Sequence, residues 1–211
     1  MAQPKSLTML LIDGDSHGRI KCTVSNWIGV AFKIPRDKVE SFKNRDELKH
    51  SGIYFLFGEN EVYIGQAGNR KNGEGILNRL LEHKRNVDKN YWNEAVIFTT
   101  QNNSFGSTEI SFLENKFCNI AINAKRYEVK NSNDPSPSNI TEEKEIELEE
   151  FAEYVQIVML MFGYKIFEPP AKKNIKIPSN ETDLFYIERT LKATNFTVKA
   201  IGKQVENGFI V

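Results

Sequence analysis

The chain has 211 residues, 40% hydrophobic and 27% charged, with 28 basic and 28 acidic side chains. Such a composition fits a soluble globular protein made of one large domain, or of a domain with a smaller appendage. The balanced charge excludes a polycation, so any argument for a nucleic-acid partner has to be local.

Two cysteines, Cys22 and Cys118, without CxxC spacing argue against a disulfide scaffold and against a zinc site. The start, MAQPKSLTMLLIDGD, has no basic region followed by a long apolar stretch. The longest apolar run, VQIVMLMFGY, is about half a membrane span. These features predict a cytoplasmic protein with no membrane partner.

In chain order, LTMLLI (7–12) reads as a buried strand closed by Asp13-Gly14-Asp15. Residues 18–34 fit two periods. Ile20, Val24, Trp27, Ile28 and Ala31 recur at helical spacing, while Ile20, Cys22 and Val24 alternate as in a strand. A short helix to about Trp27 and then a strand GVAFKI is the expectation. Pro35 opens an expected helix, PRDKVESFKNRDELK, since proline is tolerated in a first helical turn.

GIYFLF and EVYIGQA then flank Gly58-Glu59-Asn60 as a hairpin. With a two-residue loop, Glu59-Asn60, Gly58 pairs with Glu61 and Tyr63 opposes Leu56. Tyr54 and Tyr63 then share one sheet face. A glycine-rich loop, GNRKNGEG, leads to an amphipathic helix, ILNRLLEHKRN, and then a strand, NEAVIFTT. A second amphipathic helix, STEISFLENKFCNIAINA, carries Ile110, Leu113, Phe117, Ile120 and Ala121 as its apolar stripe. The polar, proline-containing stretch 132–140 reads as a linker. Thr141 is a good N-cap, with Glu142 and Glu143 in the first turn of the helix that follows. The tail alternates like short strands around an Asn207-Gly208 turn and ends on an apolar strand, as a truncated piece would.

The residues that could carry chemistry stand out by type and phase. Arg79 and His83 are four apart and share a helix face. Glu114 falls within or beside the buried stripe of its helix. A buried carboxylate needs a cation or strong donors, and the chain offers Arg79, His83 or a divalent metal. A structural Glu114–Arg79 pair and simple cross-strand packing of the tyrosines are the alternatives.

GIY at 52–54 and YIG at 63–65, with Arg79, His83 and Glu114 following in that order, resemble the GIY-YIG nuclease family over about residues 50–131. The resemblance implies an α/β core with a small mixed or antiparallel sheet flanked by helices over 51–131. An N-terminal extension (1–50), a linker (132–140), a helix packing on the core (141–168) and a small β-containing segment (169–211) would surround it. The tail also resembles a small uncharacterised domain found after such nucleases in bacteria.

For function, the resemblance implies a metal-dependent endonuclease hydrolysing DNA to 5′-phosphate and 3′-hydroxyl ends. Glu114 would hold one Mg²⁺ or Mn²⁺, Arg79 would clamp the scissile phosphate, and Tyr54 would act as general base. Tyr63 and His83 would orient water and phosphate, with roles exchangeable with that of Tyr54. A free phenol, with a pKa of about 10, is a poor base unless nearby cations lower that value. Gln66, Asn69, Arg70, Lys71, Lys84 and Arg85 are the expected nucleic-acid contacts. Asn119, Asn123 and Asn131 all qualify as the polar residue that follows the glutamate in such sites. An RNA-directed nuclease and a non-cleaving binding module are the other classes open at this point.

Overall fold

In the computed structural model, described over residues 4–68, 75–131, 140–170, 184–191, 196–205 and 208–210, residues 20–24 form a strand and not the expected helix. Strand β2 (Ile20–Val24) lies between β1 (Leu7–Leu11) and β3 (Gly29–Pro35), antiparallel to both. Ile20, Cys22 and Val24 alternate inward, and Asn26 takes a left-handed φ of 59° in the turn to β3. The period-two pattern wins because pairing on both sides satisfies the backbone that a short helix would leave open. Strand β1 is also a correction. It lies at the sheet edge with Met9, Leu10 and Leu11 exposed, and is not buried.

The expected helix after Pro35 is instead two 3₁₀ segments, Arg36–Phe42 and Asp46–Lys49. Their buried residues are Val39, Phe42 and Leu48. Intervals of three or six residues match three residues per turn better than 3.6.

Strands β4 (Gly52–Phe57) and β5 (Glu61–Ala67) form the expected hairpin. Gly58 N–H donates to the Glu61 carbonyl at 2.9 Å, and Leu56 faces Tyr63. Helix α1 (Ile76–Arg85), strand β6 (Glu94–Thr100), helix α2 (Ser107–Ala124) and a two-residue strand β7 (Glu128–Val129) follow. The sheet has seven strands in the order β1-β2-β3-β6-β4-β5-β7, antiparallel except for the β5–β7 pair. The segment before residue 50 therefore supplies three strands of this sheet, joined through β3 and β6.

Each sheet face is covered. Tyr54, Leu56 and Ile97 pack with α1 and the 3₁₀ segments. Ile53, Phe55, Ile64 and Phe98 pack with α2 and α3 (Glu142–Met161). Strand β4 lies between β6 and β5 and is buried on both faces, so its sequence is an unbroken apolar run. Helix α3 starts at Thr141 as expected. The Thr141 hydroxyl accepts from Lys144 N–H, and Leu148, Phe151, Val155 and Val158 form its buried stripe. Trp27 stacks on Tyr154 and tilts against Phe151, tying the N-terminal strands to α3.

The chain divides into two compact units, Met1–Pro170 and Ala171–Val211. The second contains an antiparallel three-stranded sheet of β8 (Leu184–Leu191), β9 (Phe196–Val205) and β10 (Gly208–Ile210). Residues 132–139 of the expected linker, and Asn207 of the expected turn, lie outside the described residues. Among the described residues no helix is long and apolar enough to cross a membrane.

Candidate active site

The two motif glycines explain why tyrosines can stand where they do. A Cβ on Gly65 would come within 2.4 Å of the Tyr54 phenol oxygen and 2.8 Å of Tyr63 Cε1. Only a bare backbone there lets the Tyr54 ring cross β5 beside Tyr63. A Cβ on Gly52 would meet the Phe98 carbonyl at 2.3 Å and Ile76 Cδ1 at 2.6 Å. That glycine lets the first turn of α1 approach the sheet. The glycines thus shape the space, and the tyrosines occupy it.

Tyr54 is fully buried, with its hydroxyl 2.8 Å from His83 Nε2. The Tyr63 ring is half-buried, 6.1 Å from the Tyr54 ring and 5.1 Å from the His83 ring. Lys89, in the 3₁₀ turn Val87–Lys89 after α1, places its ammonium 4.4 Å over the Tyr63 ring. Such a cation–π contact holds a positive charge against the phenol face. Arg79, one turn before His83, reaches the Tyr54 hydroxyl and pairs with Glu82 at 2.6 Å.

The electrostatics differ in one respect from expectation. Burial pushes the Tyr54 phenol up, with Tyr63 adding to it, and Arg79 only partly offsets this. The nearby cations therefore do not produce a low-pKa phenol; desolvation outweighs them. His83 is pushed down to about 4 by burial, with the Lys89 and Arg79 charges contributing. Its ring is neutral at pH 7. Among the described residues its buried Nδ1 has no hydrogen-bond partner. A neutral ring carrying its proton on Nδ1 leaves Nε2 as acceptor, with Tyr54 Oη–H as donor. Lys89 is itself pushed down, by burial first and by Arg79 second.

Glu114 reaches the site from α2 on the opposite face of the sheet. Gln66, opposite Ile53 on the α2-facing side of β5, donates Nε2 to Glu114 Oε2 at 2.8 Å and also lines the cavity beside Arg79. Burial raises the Glu114 pKa, the Gln66 bonds lower it, and Arg79 is close enough to lower it further. Among the described residues no cation is ion-paired with Glu114, so the structural Glu114–Arg79 pair is not formed. A half-buried carboxylate lacking a paired cation fits a hard divalent ion, which prefers oxygen ligands. Among the described residues there is no group of three His, Cys, Asp or Glu side chains able to hold a metal. A cation on Glu114 would take the remainder of its shell from water and substrate oxygens.

Asn131 is the asparagine that touches this architecture. Its side chain accepts from Ile64 N–H at 3.1 Å and donates to the Ile64 carbonyl at 2.6 Å. Strand β7 pairs with β5 only at Glu61 and Val62, and Lys130 N–H adds a bond to the Val62 carbonyl. The Asn131 amide then extends that ladder by one more residue, in place of backbone. It fixes β5 just before Gly65 and Gln66.

A cavity of about 120 Å³ opens beside these groups, lined by Gln66, Gly75, Asn78, Arg79 and Glu82 among others. Of the expected nucleic-acid contacts, Gln66 lines it. Lys84 faces away, its ammonium 3.5 Å from both Glu40 and the Asp37 carbonyl. Arg85 is exposed on another side of α1, and Asn69, Arg70 and Lys71 lie outside the described residues. Lys89 is one of several basic residues that follow Arg79 in the sequence, but its place over Tyr63 is not legible there, because the 3₁₀ turn breaks the phase of α1.

Comparisons of the chain with protein-family models, with curated proteins and with solved structures find no match.

Proposed function

We propose that the unit Met1–Pro170 is a metal-dependent DNA endonuclease with a GIY-YIG type site. The observation that carries this is the convergence, beside the end of β5, of a phenol–imidazole pair, a guanidinium, an ammonium and a carboxylate with no ion-paired cation among the described residues. That set matches what phosphodiester hydrolysis demands: a proton acceptor for the attacking water, cations for the phosphoryl oxygens, and help for the leaving alkoxide.

Arg79 binds a non-bridging oxygen of the scissile phosphate, which the fork geometry of a guanidinium suits. Lys89 adds a second positive charge beside Tyr63. An attacking water gives its proton to Tyr54 Oη as Tyr54 passes its own proton to His83 Nε2. The oxygen of that water forms the new bond to phosphorus, and the bond to the 3′ oxygen breaks. The 3′ alkoxide takes a proton from solvent water to leave as the hydroxyl, and His83 returns its proton to solvent. The relay suits a buried phenol that is a poor base alone. His83 is a weak acceptor because it is buried, with the Lys89 and Arg79 charges adding to that. A bound phosphodiester anion offsets those charges and raises its basicity. Glu114 would hold a divalent cation, Mg²⁺ or Mn²⁺, which would supply charge stabilisation at the leaving 3′ oxygen.

The test is incubation of the full chain with end-labelled single-stranded and duplex DNA and RNA, with Mg²⁺, Mn²⁺ or EDTA. Metal-dependent cutting of DNA to 5′-phosphate and 3′-hydroxyl ends is expected. Binding without cutting in every metal would replace the enzyme by a binding module, and cutting confined to RNA would change the substrate class.

A further inference from the structure

Helix α1 borders a second surface. Lys43, Lys49 and Arg85 rim a groove of about 360 Å³ that has Leu48 and Leu81 in its floor. Among the described residues, three of its lining side chains are cationic and none is anionic. Among the described residues Lys43 and Arg85 make no ion pair, and Lys49 pairs only with exposed Asp46 on its own 3₁₀ turn. Exposed pairs of that kind hold little energy and yield readily to a stronger anion. On the two 3₁₀ segments, Glu40 pairs with Lys84 and Glu47 with Lys21.

The groove is continuous with the candidate active site. Gly75 and Asn78 line both the groove and the cavity beside Arg79. The chain holds this junction tightly: a Cβ on Gly75 would lie 2.1 Å from the Lys49 carbonyl, and Ile76 N–H donates to the His50 carbonyl. Lys49 is thereby fixed beside the start of α1.

We infer that this groove carries the sugar–phosphate backbone of the DNA that flanks the scissile phosphate. The inference rests on the proposed nuclease reading and extends it from the reacting phosphate to its neighbours. The strand held at Arg79 passes over Asn78, and Lys43, Lys49 and Arg85 neutralise the phosphates that follow. Cations spaced around an apolar floor suit a repeating anion better than a single small one. Contacts of this kind fix register on the duplex and carry no sequence information.

Each neutralised phosphate adds about 0.9 to the slope of log affinity against log salt. Fluorescence anisotropy in EDTA, with a labelled duplex of about 30 base pairs, measures that slope for the parent and for Lys43→Gln/Arg85→Gln. Both side chains lack ion pairs among the described residues, so a parental melting temperature is expected and serves as the folding control. The variant slope should be shallower by about two units. From 50 to 200 mM salt it should lose about tenfold less affinity than the parent. A parental slope in the folded variant would overturn the groove and leave the nuclease reading standing. A parent that binds no nucleic acid would overturn both.

Discussion

Gly65→Ala is the change whose sign the geometry decides most sharply. Gly65 has ordinary negative-φ or extended backbone, so alanine costs nothing in conformation there. At such a position the change usually stabilises by about 0.4–1 kcal/mol, by narrowing the unfolded ensemble. Here the new methyl would lie 2.4 Å from Tyr54 Oη and 2.5 Å from its Cζ. Tyr54 cannot swing aside, because it is fully buried and its hydroxyl is held at 2.8 Å by His83. Overpacking of this kind costs about 1–3 kcal/mol. Breaking the phenol–imidazole bond inside the core adds about 1–3 kcal/mol for the unpaired group. Urea unfolding should therefore show a net loss of about 1–5 kcal/mol. A double-mutant cycle with Tyr54→Leu should show strong coupling, since the shorter side chain removes the atoms the methyl strikes. A Gly65→Ala protein as stable as the parent would mean the two phenols do not share the space above β5.

Asn131→Ala removes both bonds to Ile64 and should cost about 1–3 kcal/mol, with faster hydrogen exchange at the Ile64 amide as the local readout. For His83 the sign follows from its pKa of about 4, below the unfolded value of about 6.5. The unfolded chain binds the extra proton between those values. Stability is therefore full above pH 6.5 and falls as pH drops toward 4, by about 3 kcal/mol for this group. His83→Phe should flatten that part of the urea-midpoint profile, and an unchanged slope would show that His83 is not buried neutral. Arg79→Ala should leave the fold intact, since its pair with Glu82 is solvent-exposed. It should lower the cleavage rate about 10²–10³-fold, and a variant cutting at the parental rate would remove Arg79 from the chemistry.

The hairpin and its register were readable in the sequence because a two-residue loop leaves only one pairing that buries both strands. From that register the shared face of Tyr54 and Tyr63 follows, and i, i+4 spacing places Arg79 and His83 on one side of α1. The N-terminal strands were not readable. Ile20 and Val24 satisfy both periods, and the deciding bonds join β3 to β6 more than sixty residues on. The route by which Glu114 joins the site was also hidden. Its helix lies on the opposite sheet face from α1, and the link is Gln66, which bonds Glu114 and lines the cavity beside Arg79. Three asparagines qualified by composition, and the parallel β5–β7 contact selects Asn131. The electrostatic error had one cause: counting cations around Tyr54 omits the desolvation that dominates a fully buried phenol.

The central claim is that the Glu114 carboxylate holds the divalent ion for phosphodiester hydrolysis. Glu114→Gln tests it with little structural disturbance, since the amide oxygen can still accept from Gln66 and no ion-paired cation among the described residues is left behind. The measurement is the single-turnover rate of Mg²⁺-dependent DNA cleavage, at saturating DNA, for parent and variant. The account predicts that the parent cuts and that the folded, DNA-bound variant loses at least about 10²-fold in rate. A Glu114→Gln protein that cuts DNA at the parental rate would contradict it.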